Sequence, residues 1–136
     1  MKKSLLLLLL SIISITLAIG QTPSKVLFKK YENVNGVNLS LTPNITTMSI
    51  DNDDDDRSVR KLFKKISKDC IKLLKNKNYK TLVFEKEDDG FTKVSAFEKN
   101  GLIETCILEI IDGSLILTST LMDKSTQARS QRIQIN

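Results

Sequence analysis

The sequence predicts an α+β domain: an antiparallel sheet with one long amphipathic helix packed on one face. Three observations predict it. From Tyr79 to Leu121, three short Gly-bearing turns divide the chain into four apolar segments of strand length. Before that block, Val59, Leu62, Phe63, Ile66, Cys70, Leu73 and Leu74 recur at spacings of three and four, which is one apolar stripe on a helix. Further upstream, one or two segments alternate with period two and add N-terminal strands. A sheet with a helix on one face makes a two-layer sandwich.

Met1 to Gly20 reads as a secretory signal peptide. Lys2 and Lys3 form its positive start, and Leu5 to Leu10 with Ile12, Ile13, Ile15 and Leu17 form its apolar stretch. Ala18-Ile19-Gly20 puts small residues where a signal peptidase reads, which places cleavage before Gln21. A retained membrane anchor is the competing reading. A span needs about 20 apolar residues, and Ser11, Ser14 and Thr16 dilute this run. The expectation is a chain exported to the periplasm or cell envelope, or secreted, that meets a membrane only through an uncleaved leader.

The expected domain covers 21–122. Thr22 or Ser24 caps a short helix with Pro23 in its first turn, or the segment is an extended arm. Gly36 to Thr42 alternates Val37, Leu39 and Leu41 with polar residues, and Ile45 to Ile50 resumes after Pro43-Asn44. The two segments suit a hairpin. The long helix is expected over Arg57 to Lys77, with Asp56 as its N-cap and an acidic run against the positive end of its dipole. Four strands follow as a meander. They turn at Asp88-Asp89-Gly90, Lys99-Asn100-Gly101 and Asp112-Gly113, which are strong hairpin signals. Leu102 to Ile111 is the most apolar strand and is expected at the centre. Residues 123–136 are polar and read as a tail.

Composition excludes some chemistry. The chain of 136 residues has no His, so Ser-His-Asp and Cys-His catalysis and His-based zinc sites are ruled out for it. The net charge is +5, and Lys2 and Lys3 of the leader supply two of those charges. Basic and acidic residues alternate and aromatics are scarce, which argues against nucleic acid.

Three groups of residues invite chemistry. Asp51, Asp53 and Asp55 have the alternate spacing of a Ca²⁺ loop, because that ion wants many hard oxygens. The rest of an EF-hand pattern is missing: Asp56 stands where Gly belongs, and Leu62 stands where the bidentate Glu belongs. The other reading of the run is a solvated loop that caps a helix. Cys70 and Cys106 are the only cysteines, and an exported chain with two invites a disulfide. Two buried free thiols are the alternative. Glu85, Glu87, Glu98, Glu104 and Glu109 could pair as acid and base across strands, but they read as charges on the open face of a half-exposed sheet.

The pieces together resemble a known family. They are the signal peptide, Leu27-Phe28-Lys29-Lys30-Tyr31 followed by Gly36-Val37, and the helix leading into Tyr79-Lys80-Thr81-Leu82-Val83. After these come K-E-D-D-G, F-E-K-N-G-L-I-E-T and G-S-L-I-L-T-S-T-L. Their order and spacing are similar to the small exported Bacteroidetes proteins of domain of unknown function 4252. The resemblance implies an α+β fold and an envelope or periplasmic location. It implies no activity, cofactor or site residue.

The functional expectation is a non-enzymatic exported module that binds a protein or envelope component. The alternatives are an enzyme using carboxylates or Ca²⁺, and a secreted factor acting on another protein.

Overall fold

A computed structural model describes residues 22–123. The leader expected over 1–20 and the tail beyond Asp123 lie outside the described residues. Among the described residues two helices and six strands follow in order: α1 (Pro23–Lys30), β1 (Asn38–Leu41), β2 (Ile45–Asp51), α2 (Arg57–Leu74), β3 (Lys80–Glu87), β4 (Gly90–Lys99), β5 (Leu102–Ile111) and β6 (Ser114–Asp123). The strands form one antiparallel sheet in the order β1-β2-β6-β5-β4-β3. The α+β class holds, but the cover is two helices, not one.

Residues 22–31 settle as the helix, not the arm. Thr22 is extended at the N-cap position, Pro23 opens the first turn, and Leu27 and Phe28 turn inward. Pro suits that turn because its missing N–H would go unpaired there anyway. Helix α2 starts where Asp56 caps it. The Asp56 carboxylate accepts from the backbone N–H of Ser58 and of Val59 at 3.0 and 3.3 Å. The hydroxyl of Ser58 adds a third bond at 2.7 Å. That hydroxyl bond, then the two amides, hold the Asp56 carboxyl below its ordinary value. The helix ends at Leu74, before the expected Lys77.

Two of the three meander turns follow from their sequence. Asn100 and Gly101 have φ of 55° and 78°, and Asp112 and Gly113 have 51° and 74°. Positive φ at both central residues is what a two-residue hairpin needs to match strand twist. The third turn differs from the expectation. Gly90 lies in the ladder opposite Glu87, and the turn is Asp88-Asp89. Glycine is needed at 90 for another reason: a Cβ there would collide with the carbonyl of Ile110.

The register sorts each strand into two faces. Met48, Leu117 and Leu108 form one row on the covered face, and Ile50, Leu115, Ile110 and Phe91 form the next. Ile66, Cys70 and Leu74 of α2, Leu27 and Phe28 of α1, and Tyr31 just after α1 close the core from above. A clasp joins the helices: the Lys30 ammonium bonds Asp69 of α2 at 2.8 Å, and the Tyr31 hydroxyl donates to the same carboxylate.

Candidate functional site

The open face of the sheet is one candidate surface. One row crosses the sheet as Val83, Val94, Ile107, Thr118 and Thr47. Ile116 lies on the same face in the row with Glu109, Thr92 and Glu85. Ile103 and Ile111, set on β5 by its alternation, share that face. Of these, Val94, Ile103, Ile107, Ile111 and Ile116 are half-buried by their neighbours, and no helix covers them among the described residues. Threonines sit between the apolar residues, so the face is mixed, not greasy. Glu85 and Glu109 share a row with Thr92 between them. Two strand spacings put their backbones roughly 10 Å apart. Glu87 and Glu98 are exposed and fall on this face as well.

Glu104 is the exception, and it corrects the sequence reading. It does not join the open face. It lies on the covered face opposite Phe97 and Leu121, and only 1% of it is exposed. Its Oε1 accepts from the Tyr79 hydroxyl at 2.9 Å and from the Cys106 thiol at 2.9 Å. Its Oε2 is buried with no partner among the described residues, and so is the hydroxyl of Ser95. Ser24 of α1 reaches the Tyr79 phenol and is fully buried, so the group ties α1 to the sheet. Burial first, then the nearby thiol and carboxylate, push the Tyr79 phenol well above its usual range. Burial and then Glu104 do the same to the Cys106 thiol. Both therefore stay protonated and act as donors.

A buried carboxylate with one oxygen unpaired is costly, because it has lost water and gained only part of a shell. Ser95 stands opposite Cys106, so it is the diagonal neighbour of Glu104 on this face. Two orphan atoms at neighbouring positions suit a bridging buried water. Sequence reasoning missed Glu104 as a buried residue. The signal was present: in the sequence it falls on the period-two alternation of Leu102, Cys106, Leu108 and Ile110.

The acidic run does not converge. The Asp51 carboxylate accepts from the Ser114 hydroxyl at 2.9 Å, at the end of the sheet. Asp53 accepts from the backbone N–H of Asp55 at 3.0 Å, and Asp54 accepts from the Asn52 amide at 2.9 Å. Asp55 lends its amide to that turn. Among the described residues no three His, Cys, Asp or Glu side chains gather as a metal-binding group.

Cys70 and Cys106 are both buried and both free. Burial, then the charge of Asp69, push the Cys70 thiol up to about 12. A thiol that stays protonated is a poor nucleophile. The Cys106 S–H also serves Glu104, a role that a disulfide would remove.

Two grooves flank α1. One lies between it and α2, lined by Val26, Leu27, Lys30, Asp69 and Leu73. The other lies against the β1–β2 hairpin, lined by Phe28, Leu39, Leu41 and Thr46. Neither contains the Glu104 group. No protein-family model matches this chain, and comparison with curated proteins finds no similar relative.

Proposed function

We propose that this chain is an exported, non-enzymatic module that holds a protein or envelope component against the open face of its sheet. The observation that supports this is the row Val83, Val94, Ile107, Thr118 and Thr47, exposed at Val83 and half-buried beyond it, with Ile116 beside it. A face that mixes β-branched apolar side chains with threonine hydroxyls suits a partner that brings both apolar and hydrogen-bonding groups. The buried group of Glu104 with Tyr79 and Cys106 lies on the other side of the sheet beneath α1. There it fits a role in holding the fold. The leader-like start of the chain and the resemblance to exported Bacteroidetes proteins support an envelope or periplasmic location.

Site-specific photo-crosslinking in the native host tests this reading. A photoreactive residue at Ile107 should capture a discrete partner, and one at the exposed Lys64 on α2 should not. Equal capture at both positions, or none at Ile107, would sink the proposal. Fractionation of the same cells tests export, and a purely cytoplasmic pool of full-length chain would count against it.

A further inference from the structure

We propose that two copies of this chain join edge to edge through β3, antiparallel, with Phe84 of one copy facing Phe84 of the other. Strand β3 is the outermost strand and pairs only with β4 among the described residues. All eight of its residues are exposed. Leu82, Val83 and Phe84 are exposed by 54%, 44% and 58%, although successive residues point to opposite faces. An apolar edge with one side of its backbone unpaired is a template for another strand.

Charge points to the occupant. The approach to β3 is basic, with Lys77 and Lys80. Its exit is acidic, with Glu85, Glu87, Asp88 and Asp89 around the single Lys86. Antiparallel pairing of two such strands sets each basic start against an acidic end. Parallel pairing would set like against like, which destabilises a ladder.

Symmetry narrows the register. An antiparallel pair of identical strands has a two-fold axis perpendicular to the sheet, so one residue meets its own copy. Leu82 bulges between Thr81 and Val83, so the residues before it slip by one position against the partner. With Phe84 on the axis, Val83 meets Glu85, both bulges stay clear of the axis, and Lys80 comes against the acidic end of the other copy, at Glu87 and Asp88. Because each β3 is used once, the pair is closed. The opposite edge, β1, has only four residues and offers little for further growth. The same axis puts both open faces on one side of a doubled sheet. The pairing does not depend on what those faces bind.

Sedimentation of the purified chain over a concentration series tests the pairing. The expected result is a species of twice the chain mass that dissociates on dilution. Phe84→Lys should give monomer at every concentration, with an unchanged circular dichroism spectrum. Lys80→Glu should weaken the dimer about tenfold at low salt, since it puts like charges opposite each other at both ends. Adding Asp88→Lys to Lys80→Glu should restore it. A wild-type chain that stays monomeric up to millimolar concentration overturns the proposal. So does a dimer that survives Phe84→Lys, or a charge swap that fails to rescue.

Discussion

Ile107 and Leu108 are neighbours in β5, yet they sit in different surroundings. Leu108 is fully buried between Lys93 and Leu117 on the covered face. Ile107 faces outward between Val94 and Thr118. The pleat alone makes the difference. It teaches that hydrophobicity within this strand does not report burial: both faces of β5 are apolar, and only one has a helical layer above it. The covered face therefore carries most of the stability, and the open face is free to vary with its partner.

The sharpest way to break that contrast is to truncate one residue on each face. Leu117→Ala should cost about 3 kcal/mol in chemical denaturation, since it opens a cavity beside Met48 and Leu108. Ile107→Ala should cost about 1 kcal/mol or less, because its side chain already meets solvent on one side. Equal costs would mean that something covers the open face.

The polar exception on the covered face comes next. Glu104→Leu should destabilise by about 1–2 kcal/mol, because it strands the Tyr79 hydroxyl and the Cys106 thiol in the core. Adding Tyr79→Phe should recover part of that loss. If the double variant is weaker than the sum of its parts, the hydrogen bond is not what the carboxylate supplies. The thiols of Cys70 and Cys106 should remain reduced: denatured without reductant, the chain should gain two alkyl groups by intact mass.

A smaller effect tests the clasp between the helices. The Lys30 ammonium first, then the Tyr31 hydroxyl, hold the Asp69 carboxyl below its ordinary 3.8. A lowered folded value means that the stabilisation is fully present above the unfolded value and is lost as pH falls through the folded one. Asp69→Asn should therefore reduce stability near neutral pH and flatten the acid limb of a melting-temperature profile. Water reaches this pair, so its worth is at most about 1 kcal/mol. The smallest expected effect is at the acidic run. Millimolar Ca²⁺ should leave the melting temperature unchanged, because Asp51 and Asp53 already serve Ser114 and Asp55. A rise would show a bound ion stabilising the native state.

Much of the fold was legible because its signals are local. The stripe from Val59 to Leu74, the Asp56 cap and the Asn100-Gly101 and Asp112-Gly113 turns each act within a few residues. Burial of Glu104 was harder to read, since its donor Tyr79 is 25 residues away and a lone Glu looks like a surface residue. Exposure of β3 was hidden for a different reason. Six strands span roughly 24 Å, and a helix is about 10 Å wide, so the helical layer does not reach both edges. A register shift between Thr81 and Val83 also breaks the simple alternation of the strand. The candidate surface was legible only as a class, an open face or an edge, because which strands adjoin is a long-range property.

The sheet order also sets a timetable. Strands β3 to β6 pair with their sequence neighbours, and each turn closes a loop of a few residues. Strand β2 must find β6 across α2 and the whole meander, and its end contact, Asp51 with Ser114, spans 63 residues. Local pairs close early in a folding reaction, and distant ones carry the entropy of a long loop. The N-terminal hairpin should therefore dock late. In stopped-flow measurements Met48→Ala should speed unfolding and leave the folding rate nearly unchanged, whereas Leu108→Ala should slow folding.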